Sequence, residues 1–289
     1  MAEQPGLHFS LLMCLWSGDR PDFLEQAWDS TVVQQTRRPD EVVVVQDGPI
    51  GTALTDMLLA LVAASPVPVQ QLVLQHNQGL GPALDRGLAA CTHDVVARMD
   101  ADDVSLPQRF AVQLPLIEAG ADIVGSALIE FADDVHVVEE VRIPPTDPEW
   151  IRSAAHFRDP FNHPTVVYRR EAVQRAGGYQ DLPLMEDYLL FARMLADGAR
   201  PANVAEPLVY YRVGVGAAAY ARRGGLALLR SEIALQREFR RQGLTSRREH
   251  VRNLVVRGGY RLVPTRLRRF AYRRLIAHRG FGDPEAPPR

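Results

Sequence analysis

The chain contains no lysine; all 33 basic side chains among its 289 residues are arginine. Arginine at every basic position can follow from coding bias alone and does not by itself indicate a function. Cysteine is scarce. Cys14 and Cys91 are the only two, which excludes a disulfide framework and matches no zinc-ligand spacing. Both lie in apolar stretches and are expected as buried free thiols. Apolar runs of spanning length are missing as well. Phe9–Trp16 is too short to cross a bilayer and has no basic leader, so neither a membrane span nor a signal peptide is expected. The formal net charge is only -2, which argues against a dedicated nucleic-acid binder. The expected location is cytoplasmic, at most peripheral on the inner face of the plasma membrane.

The apolar fraction, 46%, and the charged fraction, 24%, are those of an ordinary globular protein, and the length suits one large domain with an appendage. The small net charge hides an asymmetry. Residues 1–221 carry 15 basic and 30 acidic side chains, whereas residues 222–289 carry 18 basic and 5 acidic ones.

Strand-like and helix-like patterns alternate through the first hundred residues. His8–Leu15, Glu41–Gln46, Val69–Gln75 and Val95–Met99 read as strands. The continuous run Val42 to Val45 is expected of a strand buried on both faces. Pro21–Gln34, Thr52–Ala64 and Gly81–Ala90 read as helices between them. Such alternation implies a mostly parallel sheet flanked by helices, with right-handed crossovers and ligands held beyond the carboxyl ends of the strands. That rule points to Asp47, to the loop His76–Gly81 and to Asp100–Asp103. Further on, a helix over Pro107–Ala119, a strand at Ile123–Ala127, a helix over Tyr188–Asp197 and a strand at Leu208–Val213 are expected. Residues 219–279 read as two or three Arg-rich helices broken near Gly243, Gly258 and Pro264.

The strongest local signal is Arg98-Met99-Asp100-Ala101-Asp102-Asp103 at the end of an apolar strand. Clustered carboxylates repel one another and fit a fold best when a cation neutralises them; hard oxygen donors suit Mg²⁺ or Mn²⁺. The alternative is a solvated acidic turn. Asp47, before Gly48-Pro49, serves either as an acceptor toward a nucleotide's base or ribose or as a plain turn former. The loop Asn77-Gln78-Gly79-Leu80-Gly81 opens a helix, and its amides suit an anionic phosphate. Glu186-Asp187 lies at a helix start, where it either complements the helix dipole or acts as a general base. His163, within Phe161-Asn162-His163-Pro164-Thr165, is a lone histidine with no assignment from its own pattern.

Taken together, these motifs resemble the family 2 glycosyltransferases of the GT-A fold over roughly residues 8–215. The strings are VVVVQDG (42–48), NQGLGPALDRGL (77–88), ARMDADDVSLPQRF (97–110), NHPTVVYRR (162–170) and GGYQDLPLMEDYLLFARML (177–195). The similarity is greatest to the bacterial subgroup that builds exopolysaccharide, O-antigen or related cell-surface glycans. It implies a catalytic domain at 1–215, with a nucleotide-binding half (1–106) and an acceptor-side half (107–215), followed by an Arg-rich helical region at 216–289. It implies a nucleotide-sugar donor, with UDP-sugar the expected form, a glycan or lipid-linked acceptor, and inversion at the anomeric carbon. Asp47, Asn77, Gly79, Arg98, Asp100 and His163 would then contact the donor. Asp102, Asp100 and Asp103 would hold Mn²⁺ or Mg²⁺, and Asp187 would be the base with Glu186 beside it. Many relatives carry Ala-Arg-Asn where this chain has Ala83-Leu84-Asp85, so one charged donor contact is absent unless Arg86 or Arg98 replaces it.

A sugar-nucleotide pyrophosphorylase is the nearest competing enzyme, but it would want a Gly-rich, basic loop after the first strand, where Trp16-Ser17-Gly18-Asp19-Arg20 stands. A catalytically inactive binding subunit is the non-enzyme alternative. The basic stretch 222–279 interleaves arginine with Leu, Val, Phe and Tyr. It fits an anionic membrane surface or, equally, an appendage packed on the acidic catalytic domain. No nucleic-acid partner is expected.

Overall fold

The computed structural model describes residues 6–132, 134–213 and 225–262. Its first half is a run of strand–helix units: β1 (Phe9–Leu15), α1 (Pro21–Trp28), β2 (Glu41–Gln46), α2 (Thr52–Ala63), β3 (Val69–Val73), α3 (Leu80–Ala90) and β4 (Val95–Met99). Pro21 opens α1 at its first turn, where the missing N–H costs nothing, and the helix runs on through a π-helical turn at Asp29–Val33. The four strands pair in parallel in the order β3-β2-β1-β4.

Alternate side chains of β1 and β2 enter two different cores. Leu11, Met13, Val42 and Val44 pack with α1 and α2 on one face. Leu12, Val43 and Val45 pack with Ala83, Leu84 and Leu88 of α3 on the other. Each buried valine contributes about 1.5–3 kcal/mol, so the apolar run that identified β2 also fixes it at the centre of the sheet. Gly87 lets α3 sit directly on that sheet: a Cβ there would lie 2.4 Å from Leu12 Cδ1 and 2.5 Å from Val45 Cγ2.

The second half comprises β5 (Val104–Ser105), α4 (Arg109–Glu118), β6 (Ile123–Phe131), β7 (Val138–Arg142), α5 (Pro148–Ala154), β8 (Val167–Arg169), α6 (Arg170–Arg175), α7 (Glu186–Ala196) and β9 (Pro201–Arg212). It extends the same sheet in the order β4-β8-β6-β9-β5, with β7 on β6. Here antiparallel pairs predominate, at β4–β8, β8–β6, β6–β7 and β5–β9, while β6 and β9 run parallel. The expected strands at 123–127 and 208–213 are the ends of longer ones, because β6 and β9 pair with each other along most of their length.

The described part of the basic region forms α8 (Leu226–Arg241), α9 (Arg247–Asn253), a π-helical turn (Leu254–Gly258) and α10 (Gly259–Leu262). The chain breaks at Gly243, as expected, and Ser246 with Glu249 caps the next helix reciprocally. No break occurs at Gly258. The π-helical turn absorbs it, and the helix continues into α10. Pro264 and the rest of the basic stretch lie outside the described residues, as does a boundary at 215.

Leu228, Leu235 and Phe239 of α8 form a core with Met185, Tyr188, Leu189 and Ala192 of α7. The Tyr188 and Phe239 rings meet edge to face at 5.2 Å. Glu232, fully buried, receives Arg257 at 2.6 and 2.8 Å and Arg261 at 3.2 Å. Residues 225–262 therefore pack on the α/β fold. No described helix is long and apolar enough to cross a membrane.

Candidate active site

Parallel packing brings the carboxyl ends of β1, β2 and β4 to one edge of the sheet. A cleft of about 400 Å³ opens there, lined by Cys14, Trp16, Asp19, Asp47, Asn77, Gly79, Asp100, Asp102, Tyr211 and Arg212 among others. Asp47, Asp100 and Asp102, far apart in sequence, share this one hollow. Cys14 is half-buried on its wall rather than sealed in the core. Burial raises its thiol pKa, keeping it protonated.

Asp47 accepts the Gln78 N–H at 2.7 Å and the Gly79 N–H at 3.0 Å, while Asn77 Nδ2 donates to its backbone carbonyl at 3.3 Å. Gly48 adopts a left-handed φ of +85°, and a Cβ on it would lie 2.5 Å from the Asn77 nitrogen. The β2 tip is thus fastened to the loop before α3. The amides of Gln78 and Gly79 are bound by Asp47, and Asn77 and Gly79 line the cleft.

Arg98, fully buried, grips both carboxylate oxygens of Asp100, and its Nε has no partner. It holds Asp100 from below and is not among the residues lining the cleft. Asp102 is partly exposed, and Asp103 is fully buried. Ligand oxygens of Asp100, Asp102 and Asp103 lie within 4.8 Å of one another. Burial, then the charge of Asp100, pushes Asp102 up to about 6. Burial, then Asp102, raises Asp103 well above the ordinary range. Asp103 Oδ1 accepts the Arg212 N–H at 2.8 Å, whereas Oδ2 is buried with no hydrogen-bond partner. An all-oxygen set with an orphaned buried oxygen and excess negative charge fits a hard divalent cation.

Two contributors escaped the sequence reading. Asp19, after β1, accepts the Trp16 N–H at 2.9 Å, and burial with the fields of Asp102 and Asp100 pushes it up to about 6. Its position at a strand tip was a signal of the same kind that pointed to Asp47. Arg212, at the end of β9, donates from Nε to the Asp102 carbonyl at 2.8 Å and from Nη2 to Gln26 at 2.9 Å. Its guanidinium stacks over Phe23 at 3.8 Å and Phe131 at 4.5 Å. No local pattern marks it, because its partners come from α1, β6 and the Asp100–Asp103 turn. Leu84 is core, and exposed Arg86 bonds Gln78, so neither provides a charge in the cleft.

Gly79 and Leu80 separate the cleft from a smaller hollow of about 220 Å³ walled by Asp181, Pro183, Leu184 and Glu186. Glu186, 7% exposed, is pushed up to about 7 by burial and by Asp187. Asp187 is raised too, chiefly by burial. Its Oδ1 accepts the Tyr188 N–H at 2.7 Å, and its Oδ2 lies 3.6 Å from His163 Nδ1. His163 is not among the residues that line the cleft. It is buried beside Asp187, with Nε2 3.1 Å from the Tyr179 hydroxyl, and burial followed by Arg98 keeps it neutral. Asp159, unmarked in the sequence, joins this group: burial and Asp187 raise it well above the ordinary range.

The model of the family described as Glycosyl transferase family 2 matches residues 13–175. The chain is 37% identical over 266 residues to the amylovoran biosynthesis glycosyltransferase AmsE of Erwinia amylovora, covering 91% of this chain and 97% of that one. It is 33% identical over 273 residues to an Escherichia coli UDP-Gal:alpha-D-GlcNAc-diphosphoundecaprenol beta-1,3-galactosyltransferase, covering 93% and 96%. Among solved structures, S. aureus TarS 1-349 in complex with UDP-GlcNAc superimposes with a TM-score of 0.63 at 15% identity, over 92% of this chain and 73% of that one. The mannosyltransferase PcManGT of Pyrobaculum calidifontis, in complex with GDP-Man and Mn²⁺, gives 0.62 at 14% identity, over 94% and 76%.

Proposed function

The chain belongs to glycosyl transferase family 2 and is a glycosyltransferase; on that premise we propose that it moves a hexosyl unit from a UDP-sugar to a lipid-linked or cell-surface glycan acceptor, with inversion at the anomeric carbon. One observation supports this reading above others: Asp47, Asp100 and Asp102 meet in a single cleft, next to a hollow that carries Glu186 at the head of α7. The activity in the name of the Escherichia coli relative, galactosyl transfer to a diphosphoundecaprenol-linked sugar, supports the acceptor class. A role in building an exported polysaccharide fits the name of the Erwinia relative.

In this reading the donor's nucleoside lies along Asp47 and Asp100, and its diphosphate faces Asp102. A divalent cation held by Asp102, with Asp100 and Asp103 in support, would supply positive charge against the leaving diphosphate. Arg212 holds the Asp102 carbonyl through Nε and the Asp103 carboxylate through its backbone N–H, so the turn is oriented before substrate arrives. Asp187 accepts the acceptor hydroxyl's proton while that oxygen attacks the anomeric carbon opposite the departing phosphate. Tyr188 N–H holds one of its oxygens and His163 backs the other. Glu186 keeps its proton near neutrality and so leaves the ionised role to its neighbour.

A thermal-shift panel of nucleotide-sugars, with and without Mn²⁺, tests the donor assignment, since a ligand of the native state raises its melting temperature by mass action. A rise confined to UDP-sugars and enlarged by Mn²⁺ is expected. A rise with purine nucleotide-sugars alone, or with none of them, overturns the donor reading.

A further inference from the structure

The helical run from Arg247 to Leu262 is amphipathic in the reverse sense. An ordinary surface helix turns its apolar stripe to the core and its charges to water. Here Asn253, Arg257 and Arg261 turn inward, while Arg247, Arg248 and Arg252 are exposed. Arg257 and Arg261 reach buried Glu232, and Asn253 Nδ2 donates to the His156 carbonyl at 2.7 Å and to Gln236 at 3.0 Å. His250 Nδ1 pairs with the Gln236 carbonyl at 2.9 Å. Outward, in a period of about four, stand Arg247 and Arg248, then Val251, then Val255 and Val256, then Gly259 and Leu262. The three valines and the leucine are each more than half exposed. Leu226 lies beside them, because the Gly225 N–H bonds the Arg261 carbonyl, and it is equally bare.

We propose that this face is a docking surface for an anionic lipid bilayer, lying in the headgroup plane with its valines in the acyl boundary and Arg247 and Arg248 on lipid phosphates. Charge complementarity selects the anionic kind. Arg247, Arg248 and Arg252 are exposed along this run, and the sequence after 262 adds Arg266, Arg268, Arg269, Arg273, Arg274 and Arg279 before any acid. Interfacial helices with an apolar strip and cationic flanks bind in this way. The same helices are fixed to the acceptor side of the fold, since Arg257 donates to the Phe157 carbonyl at 2.6 Å, two residues before Asp159. The surface stands apart from the donor cleft and does not depend on Asp187 being the base.

The test is co-sedimentation of the full chain with vesicles of phosphatidylcholine alone and of phosphatidylcholine mixed with phosphatidylglycerol. Binding to the anionic vesicles is expected, with weakening in salt. Val255→Glu/Val256→Glu is expected to lower partitioning about tenfold or more, with an unchanged melting temperature and unchanged donor-induced stabilisation. Leu59→Glu, at an exposed leucine on α2, is the control that keeps binding. If the double variant melts lower, Arg247→Glu/Arg248→Glu on the same face replaces it. Equal pelleting with both vesicle types, no pelleting, or undiminished binding by both variants overturns the proposal. A concentration-dependent dimer lost in Val255→Glu/Val256→Glu, without vesicle binding, overturns it in favour of a second copy.

Discussion

Glu186→Gln isolates the most consequential electrostatic feature of the acceptor side. Glu186 is nearly sealed from water and lies against Asp187, and both circumstances favour its protonated form. Its proton is held up to about 7 in the folded protein, against an ordinary value of 4.5 in the unfolded chain. Between those values the native state carries a proton that the unfolded state has released. The group's contribution to stability is therefore complete below pH 4.5 and is lost as pH rises through about 7. At about 1.4 kcal/mol per pH unit, the loss by pH 8 approaches ~3 kcal/mol. Glutamine keeps the shape and a hydrogen-bond donor but never ionises. The variant should match wild type near pH 4.5 and exceed it at pH 8 by up to ~3 kcal/mol, or roughly 6–12 °C in melting temperature for a chain of this size. Urea unfolding at both pH values, without added metal, measures the difference. A variant less stable than wild type at pH 8, or equally stable at both, would refute the claim that this carboxyl is held neutral.

Further outcomes bear on the catalytic assignments and the helical appendage. Asp187→Asn should lower transfer by about 100-fold or more while donor-induced stabilisation stays at the wild-type level; a fall in donor affinity instead would move Asp187 to the nucleotide site. Asp102→Ala should remove the Mn²⁺-dependent part of UDP-sugar stabilisation and abolish transfer, and wild-type activity in that variant would refute the metal assignment. Arg257→Ala leaves Glu232 buried with Arg261 and the Gln236 amide beside it, so a loss of about 3 kcal/mol is expected. Hydrogen exchange should report that loss first in α8 to α10, and uniform protection across these helices would count against the buried pair as their fastener.

Arg98, Asp100, Asp102, Asp103, Arg109 and Arg212 place several charges in or under one turn, two of them arginines without solvent. Arg109 illustrates the strain of this arrangement. It is sealed in the core, bonded to the Arg98 carbonyl and the Ser105 hydroxyl, and burial followed by Arg98 pulls it down to about 9. Such a turn costs stability on its own, and in the proposed reading a divalent cation would relieve the repulsion among its carboxylates, a balance of stability against function common at active sites.

Local chemistry alone determined much of this protein. The valine run set β2 at the sheet centre, Pro21 opened α1, and the strand–helix alternation required parallel pairing, whose carboxyl ends hold Asp47, Asp100 and Asp102. Those features are legible because burial of a strand and the start of a helix depend on residues within a few positions. Only the tertiary structure decided that Asp47 binds the amides of the loop before α3, that Asp19 and Arg212 belong to the cleft, and that His163 lies beside Asp187. It likewise decided that Arg257 and Arg261 turn inward to Glu232 while the valines of the last helices face out. Each of these depends on contacts across about two dozen residues or more, where the free energy comes from desolvated partners that sequence spacing does not encode.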